Sequence, residues 1–205
     1  MRFLYFFEEL QSHTDRTIIW IMLETLSKII YNPSRYVYQN EDKKMKEALC
    51  VILMGSGSDS EHAQKIADEL EVFGIKYVVR VGSAHKTPAH VMQLLATYEA
   101  MDCPKVYITI AGRSNALSGF VDGAVLSPTI ACPPKSESFA GADIYSSLRM
   151  PSGIACAVIC EPKNAALFVA KTFAQFDSAL KAKVKAYEEQ NAQKVLDADK
   201  TVQHK

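Results

Sequence analysis

Short apolar runs alternate along the chain with longer segments in which apolar residues recur at helical spacing. The short runs predict buried strands, and the longer periodicity predicts amphipathic helices. Because strands that alternate with helices form a parallel sheet covered on both faces, the pattern predicts an α/β fold. The predicted strands lie at residues 48–54, 75–81, 105–110, 129–131 and 154–160.

Start and stop signals place helices between these strands. The capping-box spacing of Ser58 and Glu61 predicts the start of the first helix, and Gly74 predicts its end. Thr87 followed by Pro88 predicts the start of a second helix. Further helices are predicted at residues 116–124, 142–148, 163–176 and 178–195, and the polar tail at residues 197–205 is expected to fray.

The first 44 residues differ in composition from the rest of the chain. They contain the single tryptophan, Trp20, and many other aromatic residues. The amino-acid composition changes at Met45, just before the first predicted strand. We therefore predict an extension at residues 1–44 and one domain at residues 45–205, which is long enough to bury a full core.

The N-terminal region has no predicted membrane span or organelle address. Its apolar run at residues 17–23 is followed by Glu24 and Lys28, so it is too short and too charged to cross a bilayer. Several acidic residues also conflict with a transit peptide, which is poor in acids. We therefore expect a cytoplasmic protein.

Charge and cysteine content exclude several classes of partner. The 23 basic and 23 acidic side chains leave no net charge, so no global field favours nucleic acid or an acidic membrane. The five cysteines form an odd set without C-x-x-C spacing, which disfavours zinc and predicts buried thiols in a reducing compartment. Cys156 and Cys160 are expected on one face of the fifth strand, in the core.

The first candidate loop, GSGSD at residues 55–59, follows the first strand, where parallel sheets bind ligands. Its glycines, hydroxyls and helix N-terminal amides suit a phosphate. Ser60 replaces the third glycine of the dinucleotide fingerprint, and no acidic residue follows the second strand, so NAD is disfavoured. The lysine of an ATP-hydrolysing P-loop is also missing. A monophosphate site, with Asp59 bonding a sugar hydroxyl or an amine, and a plain tight turn are the two interpretations.

The second loop, GSAHKTP at residues 82–88, places His85 at the end of the second strand. A histidine in a loop is often only a surface residue. The adjacent Lys86 favours a functional site, because a nearby cation keeps the imidazole available as a neutral base and suits a phosphate or carboxylate. The other histidines, expected to be surface or helix residues, are His13, His62, His90 and His204.

The third loop, AGRSN at residues 111–115, places Arg113 and Ser114 beside the other two loops. The planar guanidinium group suits a phosphate or a carboxylate, and small neighbours leave the backbone accessible. A structural salt bridge is the alternative for Arg113. Three such loops at the ends of three successive strands together favour one site for a phosphorylated ligand.

Two of these loops carry a family resemblance. MGSGSD at residues 54–59 and SAHKTP at residues 83–88 are similar to the signature loops of the phosphoribosylaminoimidazole carboxylases of purine biosynthesis, in the same order and at the same separation. One class of that family carboxylates the aminoimidazole directly with carbon dioxide. The other is a mutase of the N5-carboxylated ribonucleotide and typically has arginine after the histidine. Features that resemble the direct carboxylases are Lys86, AGRSN at residues 111–115, CPP at residues 132–134 and SSLRMPSG at residues 146–153.

The resemblance, which extends to about residue 195, implies a flavodoxin-like three-layer sandwich with a parallel sheet and closing C-terminal helices. It also implies a homo-octamer in which neighbouring subunits complete each active site, without cofactor or metal. His85 would be the acid/base, and Lys86 and Ser114 would receive the carbon dioxide. Ribonucleotide binding would fall to Ser56, Asp59, Ser83 and Arg113, the last of these at the phosphate. Arg149 has no assigned role.

The predicted activity is that of a lyase. It would add carbon dioxide at C4 of 5-aminoimidazole ribonucleotide (AIR) to give 4-carboxy-5-aminoimidazole ribonucleotide (CAIR). The mutase reaction is one alternative. A non-catalytic ribonucleotide-binding module is another, although the erosion of the His85 loop that it predicts is absent.

The resemblance does not extend to residues 1–44. MKEALC from Met45 is similar to a natural beginning for the family. We therefore favour a choice of start site as the origin of the extension, over an adaptor or an organelle address.

Overall fold

The computed structural model describes residues 47–203. The predicted extension at residues 1–44 and the predicted domain start at Met45 lie outside the described residues, as do His13 and His204. From the first strand onward, strands and helices alternate as predicted.

In this part of the chain, five parallel strands form one sheet in the order β2-β1-β3-β4-β5. This is the flavodoxin-like order, in which ligands bind beside the point where the strand order reverses, at the carboxyl ends of β1 and β3. The strands are β1 (Leu49–Met54), β2 (Lys76–Val81), β3 (Lys105–Ile110), β4 (Thr129–Ala131) and β5 (Ala157–Val158).

The register brings the carboxyl ends of three strands to one level. Met54 of β1 pairs with Val81 of β2 on one side and with Ile110 of β3 on the other. Each candidate loop begins at the residue after one of these ends. The three loops therefore emerge side by side at one edge of the sheet.

Helices cover both faces of the sheet. They are α1 (Ser60–Phe73), α2 (Pro88–Glu99), α3 (Ala116–Asp122), α4 (Tyr145–Leu148), α5 (Pro162–Phe173) and α6 (Ser178–Gln203). A 3-10 turn at Gly57–Asp59 precedes α1. The segment Ser138–Ile144 before α4 is only partly of the 3-10 type, because Phe139, Ala140 and Gly141 have positive φ.

Successive residues of β1 contribute to two separate hydrophobic cores, because strand side chains alternate between the two faces of a sheet. Ile52 packs in the core formed with α1, α5 and α6, whereas Val51 and Leu53 pack in the core formed with α2 and α3. Each such aliphatic side chain contributes about 1.5–3 kcal/mol when fully buried. The two cores make the predicted three-layer α/β sandwich.

The fifth strand is shorter than predicted, and the expectation for two cysteines is wrong. β4 has three residues, and its ladder with β5 contains two pairs. Cys156 and Cys160 both fall outside β5, with Cys156 half-buried and Cys160 exposed. Burial is observed for Cys50 and Cys132, while Cys103 is half-buried.

The prediction is correct for the C-terminal end of α1 and wrong for its N-terminal end. Gly74 ends the helix with φ of 72°, as predicted for a left-handed cap. At the other end, a 3-10 turn moves the start of α1 to Ser60, so Ser58 and Glu61 do not form the predicted capping box. Glu61 instead pairs with Lys65 at 2.9 Å.

The C-terminal helix is longer than predicted. α6 continues to Gln203, so the expectation of fraying is wrong for residues 197–203. Side-chain pairs spaced by one helical turn stabilise this exposed end. Gln193 donates to Asp197 at 2.8 Å, and Gln203 donates to Asp199 at 2.8 Å.

Candidate active site

A cleft of about 600 Å³ lies at the edge of the sheet where the three loops emerge. The loop that follows β4 closes its fourth side. All seven residues singled out from the sequence line it: Ser56, Asp59, Ser83, His85, Lys86, Arg113 and Ser114. The register of the parallel strands therefore brings together residues up to 58 positions apart in sequence.

The first loop is held against the base of the third. The N–H of Gly55 donates to the carbonyl of Ile110 at 2.8 Å. Ser56 then adopts an extended conformation, and its hydroxyl accepts from the N–H of Ser58 at 3.3 Å and from the Ser58 hydroxyl at 2.9 Å. These bonds fix the turn that leads into α1.

Asp59 immediately precedes α1 and is half-buried. Burial raises the pKa of its carboxyl group, and the nearby His62 imidazole offsets part of this rise. Among the described residues that line the cleft, Asp59 is the one acid. Its position suits the predicted bond to a ligand hydroxyl or amine.

Two hydrogen bonds between Ser83 and Thr87 close the loop that carries His85 and Lys86. The Ser83 N–H donates to the Thr87 hydroxyl at 3.0 Å, and the Thr87 N–H donates to the Ser83 carbonyl at 2.9 Å. The Ser83 hydroxyl accepts from the Lys86 N–H at 3.2 Å. The Thr87 side chain therefore closes the loop and does not cap α2 as predicted, although α2 begins at Pro88 as expected.

Gly82 allows this loop to start close to α2. A Cβ atom at this position would lie 2.9 Å from Val91 Cγ2 and 3.5 Å from Leu53 Cδ1. A larger residue would force these core side chains apart. The small residue at the end of β2 therefore keeps the His85 loop against the sheet.

The third loop contains a strained residue. Arg113 has φ of 58°, in the left-handed region, which costs roughly 1–2 kcal/mol for a residue with a Cβ atom. With the described residues its guanidinium group forms no salt bridge, so the structural alternative for Arg113 finds no support there. Arg113 and Ser114 are both exposed in the cleft.

The fourth wall of the cleft was not predicted from the sequence. Pro134, Lys135 and Ser136 line it from the loop after β4. The rule that identified the other loops, a position after the carboxyl end of a strand, applies equally to this one. Lys135 adds a third cationic side chain, beside Lys86 and Arg113.

His62 was expected to be a surface or helix residue, and it lies in a helix as expected. The structure places it in the first turn of α1, half-buried and close enough to Asp59 to affect its pKa. Its spacing of three residues from Asp59 indicates this proximity, because residues three apart lie on the same side of a helix.

The described residues contain neither a metal-binding cluster nor a membrane-spanning helix. Between residues 47 and 203, no group of three or more histidine, cysteine or acidic side chains is placed to hold a metal ion. Within the same range, no helix has the length and apolar content needed to cross a membrane.

Comparison with known proteins identifies the family. The family model described as AIR carboxylase matches residues 49–194. The chain belongs to the AIR carboxylase family. This match begins at β1 and ends within α6, so it includes every loop of the cleft.

Two curated relatives are similar to this member of the AIR carboxylase family over most of their length. A phosphoribosylaminoimidazole carboxylase of Treponema denticola is 64% identical over 151 residues, which are 74% of this chain and 95% of the relative. A phosphoribosylaminoimidazole carboxylase of Archaeoglobus fulgidus is 50% identical over 149 residues, 73% of this chain and 82% of the relative.

A solved structure supports the fold of this AIR carboxylase family member. The crystal structure of Treponema denticola PurE has a TM-score of 0.74 and 63% sequence identity, and the match covers 75% of this chain and 98% of that one. The predictions of the phosphoribosylaminoimidazole carboxylase family and of the α/β fold are confirmed by these matches. The roles of individual residues stay predictions.

Proposed function

We propose that this chain catalyses the carboxylation of AIR at C4 with carbon dioxide to give CAIR, a step of purine biosynthesis. The observation that carries the proposal is the gathering of all seven predicted site residues in one cleft. Family membership and the carboxylase names of two relatives support the same reaction.

The reaction suits the residues of the cleft. The aminoimidazole ring is an enamine, so its C4 carbon is already nucleophilic and attacks carbon dioxide that is held beside it. The attack forms a carboxylate, and His85 then takes the proton from C4 so that the ring regains aromaticity. In the reverse direction His85 returns that proton and carbon dioxide leaves.

The charges of the cleft support an anionic ligand. Lys86, Arg113 and Lys135 all line it, against the single acid Asp59 among the described lining residues. Cations that are already in place stabilise a carboxylate as its charge develops. We assign the new carboxylate to Lys86 and Ser114, and the phosphate of AIR to Arg113.

The remaining residues of the cleft are assigned to recognition of the ribose and the amine of AIR. Ser56, Asp59 and Ser83 would bind the ribonucleotide from the first two loops. The hydroxyl of Ser83 also accepts from the Lys86 N–H, so ligand binding at Ser83 and the placement of Lys86 are coupled.

An assay with bicarbonate as the sole carboxyl source tests the reaction. Purified protein is mixed with AIR and bicarbonate, without any N5-carboxylated substrate, and CAIR formation is followed by absorbance. We expect CAIR to form. Product that forms only from the N5-carboxylated ribonucleotide would contradict the proposal in favour of the mutase, and AIR binding without product from either substrate would favour a binding module.

We also propose a cytoplasmic homo-octamer in which neighbouring subunits complete each cleft. The support is the family resemblance together with the exposure of His85, Lys86 and Arg113 at the cleft mouth. Light scattering on the purified protein should give the mass of eight chains of 22.7 kDa each. A monomer or dimer with full activity would contradict this assembly.

A further inference from the structure

Asp143 contacts the strained backbone of the cleft. Its Oδ2 atom accepts a hydrogen bond from the N–H of Arg113 at 3.1 Å, across 30 residues of sequence. Arg113 has φ of 58°, which its Cβ atom disfavours. A non-glycine residue keeps such a conformation only where surrounding contacts impose it. The carboxylate of Asp143 is one such contact.

Ser146 holds the next part of the same loop. Its hydroxyl accepts from the N–H of Asn115 at 2.9 Å and lies 3.3 Å from the carbonyl of Arg113. The hydroxyl proton is donated to the Asp143 carbonyl at 2.7 Å. Asp143 and Ser146 therefore bind both sides of the backbone between Arg113 and Asn115.

The side chain of Asn115 anchors the loop to Ser118 and Ser147. Its side chain is buried, with 3% of its surface exposed. The amide Nδ2 donates to the Ser147 hydroxyl at 2.9 Å, and Oδ1 accepts from the N–H and hydroxyl of Ser118 at 3.1 and 2.8 Å. Because both polar atoms of this buried amide have partners, the network favours a single loop arrangement.

The side chains carried by this loop have no comparable anchor. Among the described residues, no hydrogen bond or ion pair is formed by the guanidinium group of Arg113 or by the hydroxyl of Ser114. Their positions in the cleft therefore depend on the backbone that Asp143 and Ser146 hold.

We propose that Asp143 and Ser146 are positioning residues of the carboxylase, which hold Arg113 in its left-handed conformation so that its guanidinium group meets the phosphate of the ribonucleotide. The inference rests on the proposed function for the identity of that ligand. Asp143 and Ser146 act through Arg113 and do not need to touch the substrate.

The same contacts join two sequence motifs. Arg113 and Asn115 belong to AGRSN, whereas Ser146 and Ser147 open SSLRMPSG. The hydrogen bonds between them make the two motifs one structural unit.

Binding of ribose 5-phosphate, measured by calorimetry on the full chain, tests the role without requiring turnover. Asp143→Ala and Ser146→Ala should each weaken this binding by about tenfold and raise the KM for AIR with a smaller change in kcat. Asp143→Asn keeps an oxygen acceptor and should restore affinity to within about threefold of the parent. The matched control is Ser127→Ala, which removes a hydroxyl that donates to Glu99 at 3.0 Å away from the cleft, and should leave binding unchanged.

A double-mutant cycle separates positioning from general stability. In an Arg113→Ala background, Asp143→Ala should cause no further loss of ribose 5-phosphate binding, because the group it positions is gone. If Asp143→Ala fails to fold, the cycle is run with Ser146→Ala. Losses that add in the Arg113→Ala background, or full affinity in a folded single variant, would overturn the proposal. If ribose 5-phosphate binding shows the expected lack of additivity but CAIR does not form from bicarbonate, the proposed reaction is refuted and the positioning role stands.

Discussion

The Nε2 atom of His62 lies 3.4 Å from the sulfur of Cys132, which joins the first turn of α1 to the carboxyl end of β4. Burial raises the pKa of the Cys132 thiol to about 12, so the sulfur stays protonated near neutral pH. Burial also lowers the pKa of His62. The backbone of Cys132 and the charges of Asp59 and Glu161 oppose this shift of the His62 pKa, while Lys65 adds to it.

The lowered pKa of His62 predicts a loss of stability in mild acid. The unfolded chain takes up a proton at this histidine near its ordinary pKa of about 6.5, before the folded chain does. The free energy of unfolding should therefore fall as the pH decreases from about 6.5 through the folded pKa. Urea unfolding of the parent and of His62→Gln, measured from pH 7.5 to pH 5, should show a smaller decrease for the variant. His90→Gln, which changes an exposed histidine, is the control, and equal slopes for all three proteins would contradict the prediction.

His85→Asn should abolish most turnover and keep ribonucleotide binding. General acid–base groups contribute about 10²–10⁴-fold to rate, and asparagine keeps hydrogen-bonding capacity without a titratable nitrogen. CAIR formation and AIR binding are measured on the same preparation. Unchanged turnover would refute the assignment of His85, whereas loss of binding alone would point to a role in recognition.

Lys86→Gln should raise the bicarbonate concentration needed for half-maximal rate, because it removes the cation proposed to receive the carboxyl group. An increase of about tenfold or more is expected, with a much smaller change in AIR affinity. Lys65→Gln is the control, since Lys65 is an exposed helix residue paired with Glu61. An equal effect of both substitutions, or a loss confined to AIR affinity, would argue against the assignment.

Two buried threonines on neighbouring strands should respond in opposite ways to valine. Thr129 Oγ1 is buried and has no hydrogen-bond partner among the described residues. The Thr109 hydroxyl donates to the Ser118 hydroxyl at 2.7 Å and lies 3.1 Å from the Ile130 carbonyl. Thr129→Val should therefore stabilise the protein by up to about 1 kcal/mol, and Thr109→Val should destabilise it by about 1–2 kcal/mol. Denaturant unfolding measures both changes, and destabilisation of similar size at both positions would contradict the prediction.

The sequence was most informative where burial on both faces leaves a continuous apolar run. The prediction for β3 matches Lys105–Ile110, and that for β4 matches Thr129–Ala131. It was least informative for β5, which was predicted over residues 154–160 and is a strand only at Ala157–Val158, where it pairs with β4. Cys160 lies beyond the end of this short strand and is exposed.

The candidate site could be predicted because parallel strands bring their carboxyl ends to one edge. Residues after β1, β2 and β3 had to be neighbours once the sheet was parallel. Lys135 follows the same rule, because it lies in the loop after the carboxyl end of β4. The roles of His85, Lys86 and Arg113 came from side-chain chemistry and family resemblance.

The sequence by itself determined the parallel α/β domain, its family and seven of the residues that line the cleft, because periodicity and local motifs specify strands and the loops after them. The tertiary structure decided how Asp143 and Ser146 hold Arg113 and how His62 meets Cys132. Those contacts join residues 30 to 70 positions apart. Their geometry depends on how helices pack on the sheet, which no local pattern contains.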